Sequence, residues 1–189
     1  MRQKFESNVS LKPQIKTRKT LLNAFFNVHV DTLYLQKKEY EYDYYSLEAR
    51  ASAVVVIAKT PENLFVINEE YRHPVGEFLL SCPGGSLDAD ETPETGAARE
   101  LAEETGFTAS SFVILGSTYP YPAISSQKLY YVAACNAKKE HNPTPDAAEI
   151  IQTHLMSIEE INSKISQGHL VDGILCTALF LFQTQLASL

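Results

Sequence analysis

The chain has 189 residues, 44% of them hydrophobic, and its 16 basic side chains stand against 23 acidic ones for a net charge of −7. That length and apolar content suit one domain, or one domain with a small appendage, while the acidic balance argues against nonspecific binding of nucleic acid, which needs a basic surface. Cys82, Cys135 and Cys176 form no CxxC pair, which indicates reduced thiols in a cytoplasmic protein rather than a disulfide framework or zinc site; no apolar run approaches the roughly 18 residues of a membrane span, and the polar N-terminus reads as no secretory signal.

Residues 1–20 are basic and polar and read as a loose leader. Residues 21–50 carry Phe25, Phe26, Tyr34, Tyr40, Tyr42, Tyr44 and Tyr45. Phe26–Gln36 and Tyr40–Leu47 read as strands about the polar turn Lys37-Lys38-Glu39. A hairpin this aromatic calls for a covering surface, on the core or on a second subunit. Ala51–Ala58, ASAVVVIA, is a buried strand by its continuous β-branched run, and Asn63–Arg72 is the next. Leu79–Cys82 leads into the turn Pro83-Gly84-Gly85. An acidic helix follows, then strands at Phe112–Thr118 and Lys128–Ala134, separated by a loop with Pro120 and Pro122. Residues 136–148 are a polar, proline-broken loop before a strand at Glu149–Met156. Ser157-Ile158-Glu159-Glu160 is a capping box that opens a helix, and Leu170–Leu186 reads as a last apolar helix. This order predicts an α+β fold, an α/β/α sandwich with a mixed β-sheet between helices, plus an N-terminal antiparallel β-hairpin subdomain. The divisions are 1–20, 21–50 and 51–189.

The chemistry concentrates in residues 85–107, GSLDADETPETGAARELAEETGF. Thr92-Pro93 is a helix start, a hydroxyl cap followed by proline at the first helical position, and Gly106 is a stop. Between them Glu100, Glu103 and Glu104 stand at i, i+3 and i+4 and share one helix face. Three crowded carboxylates repel one another unless cations sit among them. Hard divalent ions such as Mg²⁺ take oxygen ligands of this kind together with substrate phosphates. Arg99 lies four residues before Glu103, where it can orient that residue or reach Glu91. Arg72 offers a guanidinium fork for phosphate.

Gly85, Glu91, Arg99, Glu100, Leu101, Glu103, Glu104, Gly106 and Phe107 match the Nudix hydrolase signature without a departure, and on these residues the chain is identified as a member of that family. The resemblance implies a Nudix fold and hydrolysis of a nucleoside diphosphate linked to another group. Four further features resemble the ADP-ribose pyrophosphatase and nucleoside-diphosphate-sugar hydrolase branch: the aromatic N-terminal hairpin, similar to that branch's dimerisation domain; the segment Glu70-Tyr71-Arg72-His73-Pro74-Val75-Gly76; Pro83-Gly84-Gly85 after it; and Pro122, 15 residues beyond Phe107.

The resemblance implies a Mg²⁺-dependent enzyme, with Mn²⁺ as a substitute, working as a homodimer on a small nucleotide. Its metal ligands would be Glu100, Glu103, Glu104 and the main-chain carbonyl of Gly84, with Glu103 and Arg99 assisting catalysis. The general base would come from the acidic loop, Glu149 first and Asp146 second, with Glu140 a further carboxylate there. Phe26 and Tyr45 sit where the branch places stacking aromatics, one from each subunit. Arg72 and Pro122 complete the substrate site. Two positions depart from the branch: Ser81 and Gln127 stand where it tends to carry acids. These departures leave the metal helix intact and bear on the substrate and the number of metals. A GDP-sugar or oxidised-nucleotide hydrolase, and a non-catalytic ADP-ribose sensor, are the alternatives.

Overall fold

The computed structural model describes residues 12–186, which fall into two compact units, 51–120 with 128–186 and 12–50 with 121–127. In the larger unit strand β4 (Ala53–Lys59) is buried along nearly its whole length. Its apolar side chains point to both faces, as a strand covered on both sides requires. Val54, Val56 and Ala58 pack with Ala97 and Leu101 of helix α1 (Pro93–Thr105). Val55 and Ile57 pack on the opposite face with Ile161 of α2 (Ile158–Ser166) and Leu175, Ala178 and Leu179 of α3 (Gly173–Leu186). The result is the expected α/β/α sandwich.

The sheet is mixed. β9 (Leu129–Cys135) runs parallel to β4 and antiparallel to β8 (Ser111–Thr118). β5 (Phe65–Arg72) pairs antiparallel with β11 (Ile151–Met156) and with β6 (Glu77–Ser81). A two-stranded ribbon joins β7 (Phe107–Thr108) to β10 (Lys138–Lys139). β4 and β5 share only the pairs Ala58–Val66 and Lys59–Phe65. Beyond them the chain after β6 wedges in, and the Val54 and Val56 N–H groups donate to the carbonyls of Gly85 and Pro83, both at 2.8 Å. This split in the sheet delivers the turn Pro83-Gly84-Gly85 to the start of the helix region.

In the smaller unit β1 (Gln14–Asn23), β2 (Phe26–Leu35) and β3 (Tyr40–Ala49) form an antiparallel sheet in that order. Segment 121–127 lines the free edge of β3, where Leu47 N–H donates to Ile124 O and Ser126 N–H to Leu47 O. The expected hairpin therefore gains a third strand. The leader expected over 1–20 lies outside the described residues up to residue 11, and from Gln14 it is strand rather than loose chain. Helix α3 starts at Gly173 rather than Leu170, because Leu170–Asp172 is extended against β6: Leu80 donates to Leu170 O and accepts from Asp172 N–H. Among the described residues no helix is long and apolar enough to cross a membrane.

Candidate active site

Helix α1 is built as its sequence requires. The Thr92 hydroxyl accepts from Thr95 N–H at 3.2 Å, Pro93 opens the helix, and Gly106 closes it in the left-handed region at φ 74°. Ala97 and Leu101 are pulled into the core. This rotation splits the glutamate face: Glu100 and Glu104 turn inward and are buried, and Glu103 stays exposed. Gly84, at φ 155°, admits no side chain, since a Cβ there would strike the Val54 carbonyl oxygen. With the Pro83 and Gly85 carbonyls taken by β4, the Gly84 carbonyl lies outside that pairing.

Arg99 ties the motif together. Its Nε and Nη2 both reach the Glu91 carboxylate at 3.0 Å, Nη2 also reaches Ser86 O at 3.0 Å, and Nη1 donates to Glu100 at 2.9 Å and Glu103 at 3.0 Å. Five contacts match the five N–H groups of a guanidinium. The fork holds Glu91 well below the usual carboxylate range and is itself driven further toward the charged form, first by Glu91. All five of its donors are engaged within the motif.

Glu104 is only 4% exposed and, among the described residues, has no basic partner. Its Oε2 accepts from the Asn68 amide at 2.7 Å and from Gly84 N–H at 3.3 Å. Burial pushes its pKa up to about 9, and the charges of Glu100, Glu149 and Glu70 add to the rise. Burial likewise raises Glu100, against the pull of Arg99, and raises Glu70, against the pull of Arg72. Four carboxylates thus share one field with too little positive charge to balance it. Among the described residues no three His, Cys, Asp or Glu side chains form a closed metal cage. The donor set is instead two buried carboxylates beside a free backbone carbonyl, which fits a hard divalent cation that keeps water and substrate oxygens as its other ligands.

The field on Glu104 and Glu100 brings Glu149 into this group. Its carboxylate also accepts from Asp146 N–H at 2.9 Å, closing the turn that precedes β11. Asp146 is exposed, and its side chain contributes to none of the shifts at the cluster. Arg72 is half-exposed and bonds Glu70 at 2.5 Å. Phe26 and Tyr45 are exposed on the N-terminal sheet, 39% and 61%; Pro122 and Gln127 belong to the segment that lines β3. Sequence reasoning missed Asn68 and Glu70 as members of the site. Their one signal is the alternation in β5, which puts Val66, Asn68 and Glu70 on the face that meets α1. Ser81, opposite Asn68 in the β5–β6 register, is 3% exposed, and its hydroxyl oxygen has no hydrogen-bond partner among the described residues.

The NUDIX domain family model matches residues 48–173. A methanol dehydrogenase activator from Bacillus methanolicus is 32% identical over 134 residues, covering 70% of this chain and 72% of that protein. An ADP-ribose pyrophosphatase from Bacillus subtilis is 26% identical over 122 residues, covering 64% of this chain and 66% of that one. Among solved structures, an ADP compounds hydrolase superposes with a TM-score of 0.83 at 22% identity, over 94% of this chain and 95% of its own, and so has the same fold.

Proposed function

The chain belongs to the Nudix hydrolase family, and from that premise we propose that it is of the ADP-ribose pyrophosphatase branch and cleaves the pyrophosphate bond of ADP-ribose or a related nucleoside diphosphate sugar, with Mg²⁺ as its resident ion and Mn²⁺ a substitute. The observation that supports this most is the buried Glu104 carboxylate, which has no basic partner among the described residues and lies in the field of Glu100, Glu149 and Glu70, beside the Gly84 carbonyl that β4 leaves unpaired. Such a cluster is costly in a structure that only has to fold, and it becomes favourable once a cation and a phosphate share it. A divalent ion held by Glu100, Glu104 and Gly84 O would screen the pyrophosphate charge and acidify a bound water.

Glu103 assists from the rim in this reading, which its exposure and its bond to Arg99 support. Glu149 takes the proton of the attacking water. The oxygen of that water bonds to one phosphorus, the bridging P–O bond breaks, and its electron pair stays with the departing phosphate. From ADP-ribose the products are AMP and ribose 5-phosphate. Arg72 exchanges Glu70 for a substrate phosphate oxygen, a charge-assisted contact it is built to make. Phe26 and Tyr45 stack the base, one from each protomer of a homodimer formed through the N-terminal sheet, and Pro122 lines the same site.

The test is turnover with Mg²⁺ of ADP-ribose, ADP-glucose, GDP-mannose, NADH, diadenosine polyphosphates and 8-oxo-dGTP. Preference for an ADP-sugar supports the proposal. Preference for GDP-mannose or 8-oxo-dGTP moves the substrate and keeps the chemistry. Binding of ADP-ribose without turnover of any compound defeats the enzyme reading in favour of a sensor.

A further inference from the structure

Asn68 is the largest fully buried polar side chain of the core, at 0% exposure, in a strand that otherwise reads Phe65, Val66, Ile67 up to that point. A buried amide persists only when its hydrogen bonds are made, and both ends of this one are engaged. Its Nδ2 donates to Glu104 Oε2 at 2.7 Å, and its Oδ1 accepts from the Thr153 hydroxyl at 3.1 Å. The two strands fix this geometry, since Thr153 lies opposite Asn68 in the β5–β11 register. As a ligand of a cation Glu104 is ionised and only accepts, so the nitrogen end of the amide faces it and the oxygen end faces the Thr153 hydroxyl.

The consequence lies on Glu104. Asn68 Nδ2 and Gly84 N–H both fall on Oε2. Oε1 accepts no hydrogen bond from any described residue, and unlike the Ser81 hydroxyl it is not sealed from solvent. One oxygen is clamped and its twin is left open. The clamp crosses 36 residues of sequence, from the sheet to the last turn of α1. We propose that Asn68, held in turn by Thr153, is a positioning residue that fixes the Glu104 carboxylate with Oε1 presented to the catalytic cation. The inference rests on the metal reading of Glu104 given above. It adds a three-residue relay, Thr153 to Asn68 to Glu104, by which the strand pair β5–β11 sets the geometry of the helix carboxylate.

The test uses the full-length protein and Mn²⁺ alone, with free Mn²⁺ followed by electron paramagnetic resonance. Wild type binds, and Glu104→Gln weakens binding most. Asn68→Ala raises the Mn²⁺ Kd by about 10–100-fold, the usual effect of removing a partner that orients a ligand. Thr153→Val raises it by about threefold or more, one hydrogen bond's worth, and Thr153→Ser, which keeps the hydroxyl, restores the wild-type value. Mn²⁺ affinity of Asn68→Ala within about twofold of wild type, beside a clear loss in Glu104→Gln, overturns the positioning role and leaves the metal reading standing. If Asn68→Ala does not fold, the threonine pair decides: equal affinity for Thr153→Val and Thr153→Ser overturns the proposal. A wild-type protein that binds no Mn²⁺, or a Glu104→Gln variant that binds normally, defeats the metal reading itself.

Discussion

On the N-terminal sheet, Asp31 is met by the Arg18 guanidinium with two bonds of 2.7 Å, and Glu48 by Asn27 at 3.1 Å and His29 at 3.0 Å. Both carboxylates are held below their usual range, each first by a side-chain hydrogen bond. Beside helix α1, Glu70, Glu100 and Glu104 are raised instead, each first by burial. The same residue class is thus used in two ways in one chain. Where a carboxylate only holds strands together, the fold supplies its partner. Beside α1 the fold buries Glu70 and Glu100 with one guanidinium contact each and gives Glu104 no basic partner among the described residues, the pattern expected of carboxylates kept for a ligand. Arg99 marks the border between the two uses, because it neutralises Glu91 fully and touches Glu100 and Glu103 with what remains.

The contrast breaks most sharply at Glu104. Replacing it with glutamine should lower turnover at saturating Mg²⁺ by about 10³-fold, the several kcal/mol that a bound ion contributes to a phosphoryl transition state. The same change should leave the metal-free protein at least as heat-stable as wild type, because it removes a buried carboxyl that ionises at a cost. A wild-type rate would show that the cluster is structural after all. Glu149→Gln comes next, with a fall of about 10²-fold expected for loss of a general base and Mn²⁺ affinity nearly kept. A normal rate would transfer the base to Asp146 or Glu140.

Glu100 and Glu104 were reachable from sequence where Asn68 and Glu70 were not. The α1 signals lie within one helix, where cap, proline, stop glycine and i, i+3, i+4 spacing fix which side chains share a face. Strand alternation gives Asn68 and Glu70 a common face, but not which helix covers that face; that needs the β5–β6 pairing and the wedge of Pro83-Gly84-Gly85 into the sheet. Strand β1 escaped for another reason. QIKTRKTLLN has no apolar alternation because the strand is exposed along all ten residues, so its composition reads as leader. The start of α3 was misread because Leu170–Asp172 has helical apolar content yet spends its backbone on Leu80.

The contrast also has a pH signature on the catalytic side. Glu104 is lifted on folding from 4.5 to about 9, so across that window the folded protein holds a proton the unfolded chain has released. Stability is then full below pH 4.5 and falls as pH rises toward 9. In chelator-treated protein the melting temperature should decline over this range, with Glu70 and Glu100 adding in the same direction. Added Mg²⁺ should raise the melting temperature more at pH 8.5 than at pH 6, since the ion takes the deprotonated ligand (pH values chosen inside roughly that same window). A melting temperature that rises with pH in the absence of metal would contradict the picture.

The smallest expected effect belongs to the structural side. Asp31→Asn removes the charge that Arg18 grips while keeping the size of the side chain. Arg18 is 45% exposed, so solvent screens the pair, and the cost should be about 1 kcal/mol or less at neutral pH. Here the sign is opposite to that of Glu104. The folded pKa of Asp31 is lowered, so its stabilisation is present above the unfolded value of 3.8 and is lost as pH falls through the folded value. Wild type and Asp31→Asn should therefore differ in hydrogen-exchange protection of β1 and β2 near neutrality, and converge in strong acid or at high salt. Mn²⁺ affinity should be the same in both. If Asp31→Asn instead altered Mn²⁺ binding, the two carboxylate sets would not be energetically separate, and the division between partnered and ligand-awaiting charge would fail.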